Sequence, residues 1–254
     1  MSETGRTDYD TQNSNFKLTE KKQTTTMVKS KELKRLRKAI DQAERLVPDP
    51  LPLLDLPTPD FTATFYNTPL PSPLLEACLA LFQSNMASYH TKDADTYMDE
   101  KRSELTHRTA RIIVIHHTRT PITTTTQNDR TDAAAVPTQP TLAAFLHYRF
   151  CLDDDDDPTA AVVYMYELQV ALRRRGLGRA LGRTTLRIAR QAQLPRVLLT
   201  VHTTNTAARA LYEQALQFSI DASSPSQHGD FSVDYEIMSF DCQQEPEDDQ
   251  ADGK

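Results

Sequence analysis

Between residues 161 and 201 an apolar run, a turn of arginines and glycines, a helical pattern and a second apolar run follow one another, and few folds accommodate that unit. Ala161 to Val170 is rich in β-branched and aromatic residues and reads as a strand. Gly178 to Gln193 carries helical periodicity through Leu181, Thr184 and Ile188, and Arg196 to Val201 is the continuous apolar run of a strand covered on both faces. Between them stands Arg173-Arg174-Arg175-Gly176-Leu177-Gly178-Arg179. Its glycines allow close approach of the backbone, and N–H groups at a helix start converge where a diphosphate can sit. Arginines add charge-assisted hydrogen bonds to phosphate. The plain alternative is a tight turn with solvated arginines. A Rossmann site would want a third glycine where Leu181 stands and an acidic residue at the end of the next strand, which closes on Thr200; a Walker loop would need Gly-Lys-Ser/Thr.

The remainder supplies further elements of an α/β domain. Met1 to about Val28 is polar and threonine-rich and is expected to be a disordered arm over residues 1–28. From Ser30 to Leu46 the residues Leu33, Leu36, Ile40, Ala43 and Leu46 form one helical stripe under a basic face, ended by Pro48, Pro50 and Pro52. Phe61 to Tyr66 reads as a strand. Ser72-Pro73 reads as an N-cap and first turn for a helix bearing Leu74, Cys78, Leu81, Phe82 and Met86. Arg111 to His117 and Thr141 to Phe150 are strand candidates, separated by a low-complexity insertion at 118–140. Asn205 can cap a helix with Ala208, Leu211, Tyr212 and Ala215, and Phe218 to Ile220 and Val233 to Phe240 end the domain as strands. An acidic tail, 241–254, is expected to be disordered.

Composition narrows the class. No stretch approaches the roughly 18 apolar residues of a membrane span, and Met1 to Asn15 lacks the apolar core of a secretory signal, so nucleus and cytoplasm are the expected compartments. Cys78, Cys151 and Cys242 are odd in number and scattered, without metal-ligand spacing, which suits a reducing environment. The net charge of −6 conceals a basic stretch from Lys17 to Lys38 and acidic ones at Asp153 to Asp157 and Glu245 to Asp252. The basic helix, Lys29 to Lys38, is a candidate contact for a nucleosome or nucleic acid, against the simpler reading of a solvated face.

Arg173-x-x-Gly176-x-Gly178 matches the acyl-CoA pyrophosphate signature of the GNAT superfamily, and Asn205-x-x-Ala208-x-x-Leu211-Tyr212 matches its later cofactor-side helix. More closely, Tyr164 to Gln169, Leu199-Thr200-Val201, Ala215 to Phe218, Ile220-Asp221, Ser223 to Ser226 and Tyr235-Glu236-Ile237 resemble N-alpha-acetyltransferases of the NatD type. The likeness is strong from about Phe145 to Ser239 and weaker from Phe61, taking in Asn85-Met86 and Tyr89. It implies a GNAT fold over residues 29–240: a central mixed, mostly antiparallel sheet flanked by helices. It also implies acetyl-CoA as co-substrate, no metal, and transfer to the N-terminal serine of histones four and two-A, which start Ser-Gly-Arg-Gly. The expected partners are thus histone N-terminal tails, and a monomer is expected.

The same resemblance distributes roles. Donor contacts fall on Leu168, Gln169, Val170, Arg173, Arg174, Arg175, Gly176, Leu177, Gly178, Arg179 and Asn205. Glu167 would be the general base, through a bound water; it stands in an apolar strand where an idle carboxylate is costly. Strict alternation sends Tyr166 and Glu167 to opposite faces, so a β-bulge is expected to re-aim one of them. Tyr166 would help to orient the substrate. Tyr212 occupies a position from which many GNAT enzymes protonate the departing thiolate, although NatD relatives carry phenylalanine there. Tyr89, Cys151, Asp153, Tyr164, Tyr166, Thr200, Ser223 and Tyr235 match substrate-side positions, each with a local structural alternative. Cys151 departs from the NatD pattern, where aspartate is usual, and Asp153 or a neighbour would compensate. Tryptophan is absent, and the stretch from Glu167 to Gly176 is shorter than in NatD. His147 and Cys151 on one strand are roughly 13 Å apart, too far for a nucleophile and its base, so transfer is expected to be direct. Two other functions fit the residues: a GNAT enzyme acetylating a lysine side chain or small amine, and a non-catalytic acyl-CoA-binding adaptor on chromatin.

Overall fold

The computed structural model describes residues 29–67, 69–89, 94–118, 140–154 and 157–243. The expected arm 1–28, the insertion apart from its end residues, and the tail from 244 lie outside the described residues. Among the described residues there are five α-helices: α1 at residues 29–46, α2 Ser72–Met86, α3 Ala94–Leu105, α4 Leu177–Gln191 and the short α5 Thr206–Ala210. The strands are β1 Phe61–Tyr66, β2 Arg111–His117, β3 Thr141–Leu152, β4 Ala161–Val170, β5 Arg196–His202, β6 Ser219–Ile220 and β7 Tyr235–Asp241. They make one seven-stranded sheet in the order β1-β2-β3-β4-β5-β7-β6. Every neighbouring pair is antiparallel except β4 with β5.

Helices cover both faces, which explains why the inner strands are apolar throughout. In β2, Ile112 and Val114 pack with Cys78, Leu79 and Phe82 of α2 and Leu105 of α3. Ile113 and Ile115 point the other way, into a cluster with Ala43 of α1 and Leu181 and Ile188 of α4. Alternation along one strand therefore feeds two cores, each fully buried isoleucine contributing about 1.5–3 kcal/mol. Arg111, also buried, fastens the end of α1 to the sheet: it donates to the Val47 carbonyl and, over 3.1 Å, to the Tyr148 hydroxyl. Burial pushes the Cys78 thiol up to about 12, so it behaves as a small apolar core residue.

Three local features depart from the sequence reading. Ser72 is the first helical residue and not the cap; Pro71 holds that position, its carbonyl accepting from Leu74 N and Leu75 N at 2.9 Å each. Helix α3 was not anticipated at all, because its sequence, ADTYMDEKRSEL, places a lysine on the side that faces the protein. The segment after α5 widens into a π-type turn, Leu211–Ala215, that buries Tyr212. The expected bulge, by contrast, is present: His147 pairs with Glu167 and Tyr148 with Met165, leaving Tyr166 as an extra residue in β4. In consequence Met165, Leu168 and Val170 lie toward α4, whereas Tyr164, Tyr166, Glu167 and Gln169 lie toward α2 and α3.

Helix α4 reaches the following segment through Gly182. A Cβ there would lie 2.3 Å from Leu216 Cδ1, inside the core. Gly182→Ala is expected to lower stability by about 1–3 kcal/mol through overpacking. Adding Leu216→Val should recover part of that loss in urea denaturation; an unchanged midpoint in the single variant would contradict the packing.

Candidate active site

Strands β4 and β5 share three register pairs, Val163 with Val197, Tyr164 with Leu198 and Met165 with Leu199. Beyond them the strands part, and among the described residues no strand pairs with the open edge of β4 from Tyr166 to Val170. The gap is a groove of ≈ 480 Å³, closed at one side by Asn85, Met86 and Tyr89 and at the other by Thr200, His202, Asn205, Leu211 and Tyr212. Tyr164 braces its apex from β4, its hydroxyl 2.5 Å from Thr200 Oγ1 on β5.

At one end the groove opens on the arginine-glycine turn, whose Arg173 and Arg174 line it. Arg174 and Gly176 adopt left-handed backbone angles, φ 58 and φ 78. For arginine that conformation costs roughly 1–3 kcal/mol, a form of strain that collects at ligand sites. Among the described residues no acceptor meets the main-chain N–H groups from Arg173 to Arg179. Gly176 caps α4 without a side-chain hydrogen bond, and the first internal bond runs from Ala180 N to its carbonyl at 2.9 Å. Unpaired donors at the positive end of a fifteen-residue helix fit an anion. Asn205 lines the far wall while its side chain caps α5, accepting from Ala208 N over 3.2 Å.

The floor carries the ionisable groups. From the turn inward, Arg173 donates to Asn85 Oδ1 over 3.0 Å, Asn85 to Gln169 Oε1 over 2.9 Å, and Gln169 to Glu167 Oε2 over 2.8 Å. Glu167 Oε1 meets Lys101 Nζ of α3 at 2.6 Å, and Lys101 also donates to Glu104. Burial raises the Glu167 carboxyl above its ordinary range, against the lowering effect of the Lys101 ammonium and the Gln169 amide. Burial pulls Lys101 down, but the Glu167 and Glu104 carboxylates outweigh it and hold the ammonium protonated. Tyr212, across the groove, is buried and its phenol is pushed well up, first by burial and then by the Glu167 charge. It therefore keeps its proton at neutral pH. Tyr166 stacks on the buried His147 ring at 5.0 Å, and Tyr89 on His202 at 5.3 Å.

The groove thus assembles Tyr89, Tyr166, Glu167, Leu168, Gln169, Val170, Arg173, Arg174, Thr200, Asn205 and Tyr212 from the expected set. Of the rest of the turn, Gly178 packs against Leu168, Val170 and Leu211 of the lining, Gly176 stands beside Pro57, Leu177 is buried in the core and Arg179 lies outside the lining, whereas Arg175 turns away toward Asp60, 3.8 Å distant, and the Phe61 ring. Asp153, expected on the substrate side, is engaged elsewhere. Its oxygens accept from Thr159 and Ala160 N–H groups and meet Arg196 at 2.7 Å, so it closes a loop instead of facing the groove. Burial alone would raise that carboxyl, but these bonds hold it below the usual carboxylate range. Ser223 likewise is taken up locally, its N–H and hydroxyl both donating to Asp221. Cys151, opposite Val162, and Tyr235, opposite His202, lie outside the groove lining. Sequence reasoning missed Lys101, His202 and the role of Asn85; of these only Asn85 lay in a quoted stretch.

Residues 82–218 match the model of the acetyltransferase (GNAT) family, over more than half of the chain. The chain belongs to that family. Solved structures to which the chain is similar include three acetyltransferases. A GNAT-family acetyltransferase of Desulfovibrio desulfuricans shares 15% identity, with 71% of this chain and 99% of that one covered and a TM-score of 0.46. PaiA N-acetyltransferase of Thermoplasma acidophilum, in complex with coenzyme A, shares 12% over 71% and 99%, with a TM-score of 0.46. NAA60 of Arabidopsis thaliana, in complex with a bisubstrate analogue, shares 15% over 71% and 99%, with a TM-score of 0.45.

In this GNAT acetyltransferase the residues present suit coenzyme A: a cationic turn with unpaired N–H donors leads into a groove beside an open strand edge. Among the described residues no cluster of three or more His, Cys, Asp or Glu side chains is placed to hold a metal, and no helix is long and apolar enough to cross a membrane. A Cβ on Gly178 would stand 3.2 Å from Leu211 Cδ2. Gly178→Val should therefore weaken coenzyme A binding by about tenfold or more, the worth of one or two charge-assisted hydrogen bonds, when titrated calorimetrically. Arg175→Ala, altering a side chain aimed at Asp60, should change it by less than about threefold; equal losses in the two variants would contradict this geometry.

Proposed function

We propose that the chain is an N-terminal α-amino acetyltransferase that moves acetyl from acetyl-CoA to the N-terminal serine of histones four and two-A, with Glu167 as general base. The observation that carries the reading is a buried carboxylate at the groove floor, its affinity for protons raised by burial, facing a protonated phenol across the gap. An α-amino group ionises near about 8, against about 10.4 for lysine, so a carboxylate of raised basicity frees it more readily. The donor supplies an acetyl thioester. Arg173, Arg174 and the open N–H groups at the start of α4 hold its diphosphate, and the edge of β4 from Leu168 to Val170 can receive an amide-bearing arm.

Glu167 takes the proton released by the substrate amine, directly or through one water, as the C–N bond forms and the C–S bond breaks. Tyr212 gives its phenolic proton to the departing sulfur. Tyr89, Tyr166 and Thr200 wall the acceptor side, and the narrow apex under Tyr164 favours an extended N-terminus of small residues such as Ser-Gly. Histone tails as partners, action as a monomer, residence in nucleus and cytoplasm, and nucleic-acid contact through the exposed lysines and arginines of α1 belong to the same proposal.

Intact-mass measurement of a Ser-Gly-Arg-Gly peptide incubated with acetyl-CoA should show one added acetyl group, and the same peptide blocked at its N-terminus should show none. Acetylation of the blocked peptide on a lysine would favour a side-chain acetyltransferase, and coenzyme A binding with no product would favour the adaptor. Glu167→Gln should lower kcat by about 10²–10⁴ while leaving coenzyme A binding intact. Because the base must be ionised, the wild-type rate should fall as pH drops through a carboxyl pKa lying above the usual glutamate range of about 4.3. That acid limb should vanish in the variant.

A further inference from the structure

Helix α3 buries a lysine for which the fold alone offers no reason. The Lys101 side chain is 7% exposed, and Tyr97, Met98 and Leu105 on the same helix pack into the apolar cluster under β2. A leucine or methionine at 101 would extend that contact, whereas an ammonium brought out of water costs several kcal/mol unless it is paired. Its partners are specific. Nζ lies 2.6 Å from Glu167 Oε1, is bonded to Glu104, and sits 5.0 Å and 5.8 Å from the centres of the Phe82 and Tyr97 rings.

We propose that Lys101 is a positioning residue for acetyl transfer, its ammonium fixing the Glu167 carboxylate in place and supplying the counter-charge that the carboxylate needs inside the protein. The proposal rests on the reading of Glu167 as the base. Other groups around Glu167 cannot substitute. On its own strand Gln169 is neutral and Tyr166 keeps its proton. From α2 comes the amide Asn85, and from the turn after α5 the protonated Tyr212. On β3, His147 is held neutral by burial and by Arg149, while Arg149 itself donates to the Glu104 carbonyl and to His147. On α3, Tyr97 stays protonated and Glu104 adds negative charge. Lys101 is thus the cation, among the described residues, in direct contact with the base.

Without that cation a carboxylate so buried retains its proton to higher pH. The test is the pH dependence of kcat/KM for the full chain with acetyl-CoA and a Ser-Gly-Arg-Gly peptide. Lys101→Met should move the acid limb upward by about one to three pH units, so that activity lost at pH 7 returns in alkaline solution, with coenzyme A affinity within twofold of wild type. Lys101→Arg should restore the limb to within about half a unit. Glu104→Gln, at a partly exposed position, removes a like charge and should move the limb the opposite way, which keeps the test open if Lys101→Met does not fold. A limb that stays put in both Lys101→Met and Glu104→Gln would overturn the proposal and leave Lys101 a packing residue. A Glu167→Gln enzyme that keeps both rate and limb would overturn the base assignment, and this proposal with it.

Discussion

Two parallel strands that separate after three register pairs leave main-chain hydrogen-bonding groups without partners on the facing edges, and a folded protein tolerates that only where something else satisfies them. Here the parting of β4 from β5 opens the groove, and the adjacent turn adds further unpaired N–H groups at the start of α4. Each remaining part of the site is placed relative to that gap. The bulge at Tyr166 turns Glu167 toward α2 and α3, and the π-type turn after α5 buries Tyr212 on the opposite wall. Local irregularities in strand and helix thereby aim two proton-carrying side chains at one cleft.

The polar groups of the floor form a single chain, from Arg173 through Asn85, Gln169 and Glu167 to Lys101 and Glu104. Buried hydrogen bonds of this kind reinforce one another and hold side chains in one arrangement. One end of this network stands at the arginine-glycine turn and its middle is the Glu167 carboxylate. The order of residues therefore links the arginine-glycine turn to the buried carboxylate through side-chain hydrogen bonds alone.

Much of this was legible in the sequence. The strand, arginine-glycine turn, helix and strand from 161 to 201 carry their own periodicities, because each element is buried on the face its pattern marks. The clash between alternation and function at Tyr166-Glu167 also pointed to a bulge. What escaped has a physical reason. Helix α3 lacks a clean apolar stripe because Lys101 interrupts it, and an ion pair joining two elements distant in sequence leaves no spacing to read. Asp153 carried the charge expected of a substrate ligand, but the hydrogen bonds of Thr159 and Ala160 and the guanidinium of Arg196 consume it, and only the tertiary structure brings Arg196 there. The length of a loop and the company of a carboxylate are not local properties.

The central claim is that the free N–H groups around the start of α4 receive the donor's diphosphate. Amide hydrogen exchange, followed residue by residue with and without coenzyme A, measures it directly. The account predicts strong slowing of exchange at residues 174–179 on adding coenzyme A, together with slowing at the open edge of β4. Unchanged exchange at 174–179 under conditions where coenzyme A is shown to be bound would contradict it.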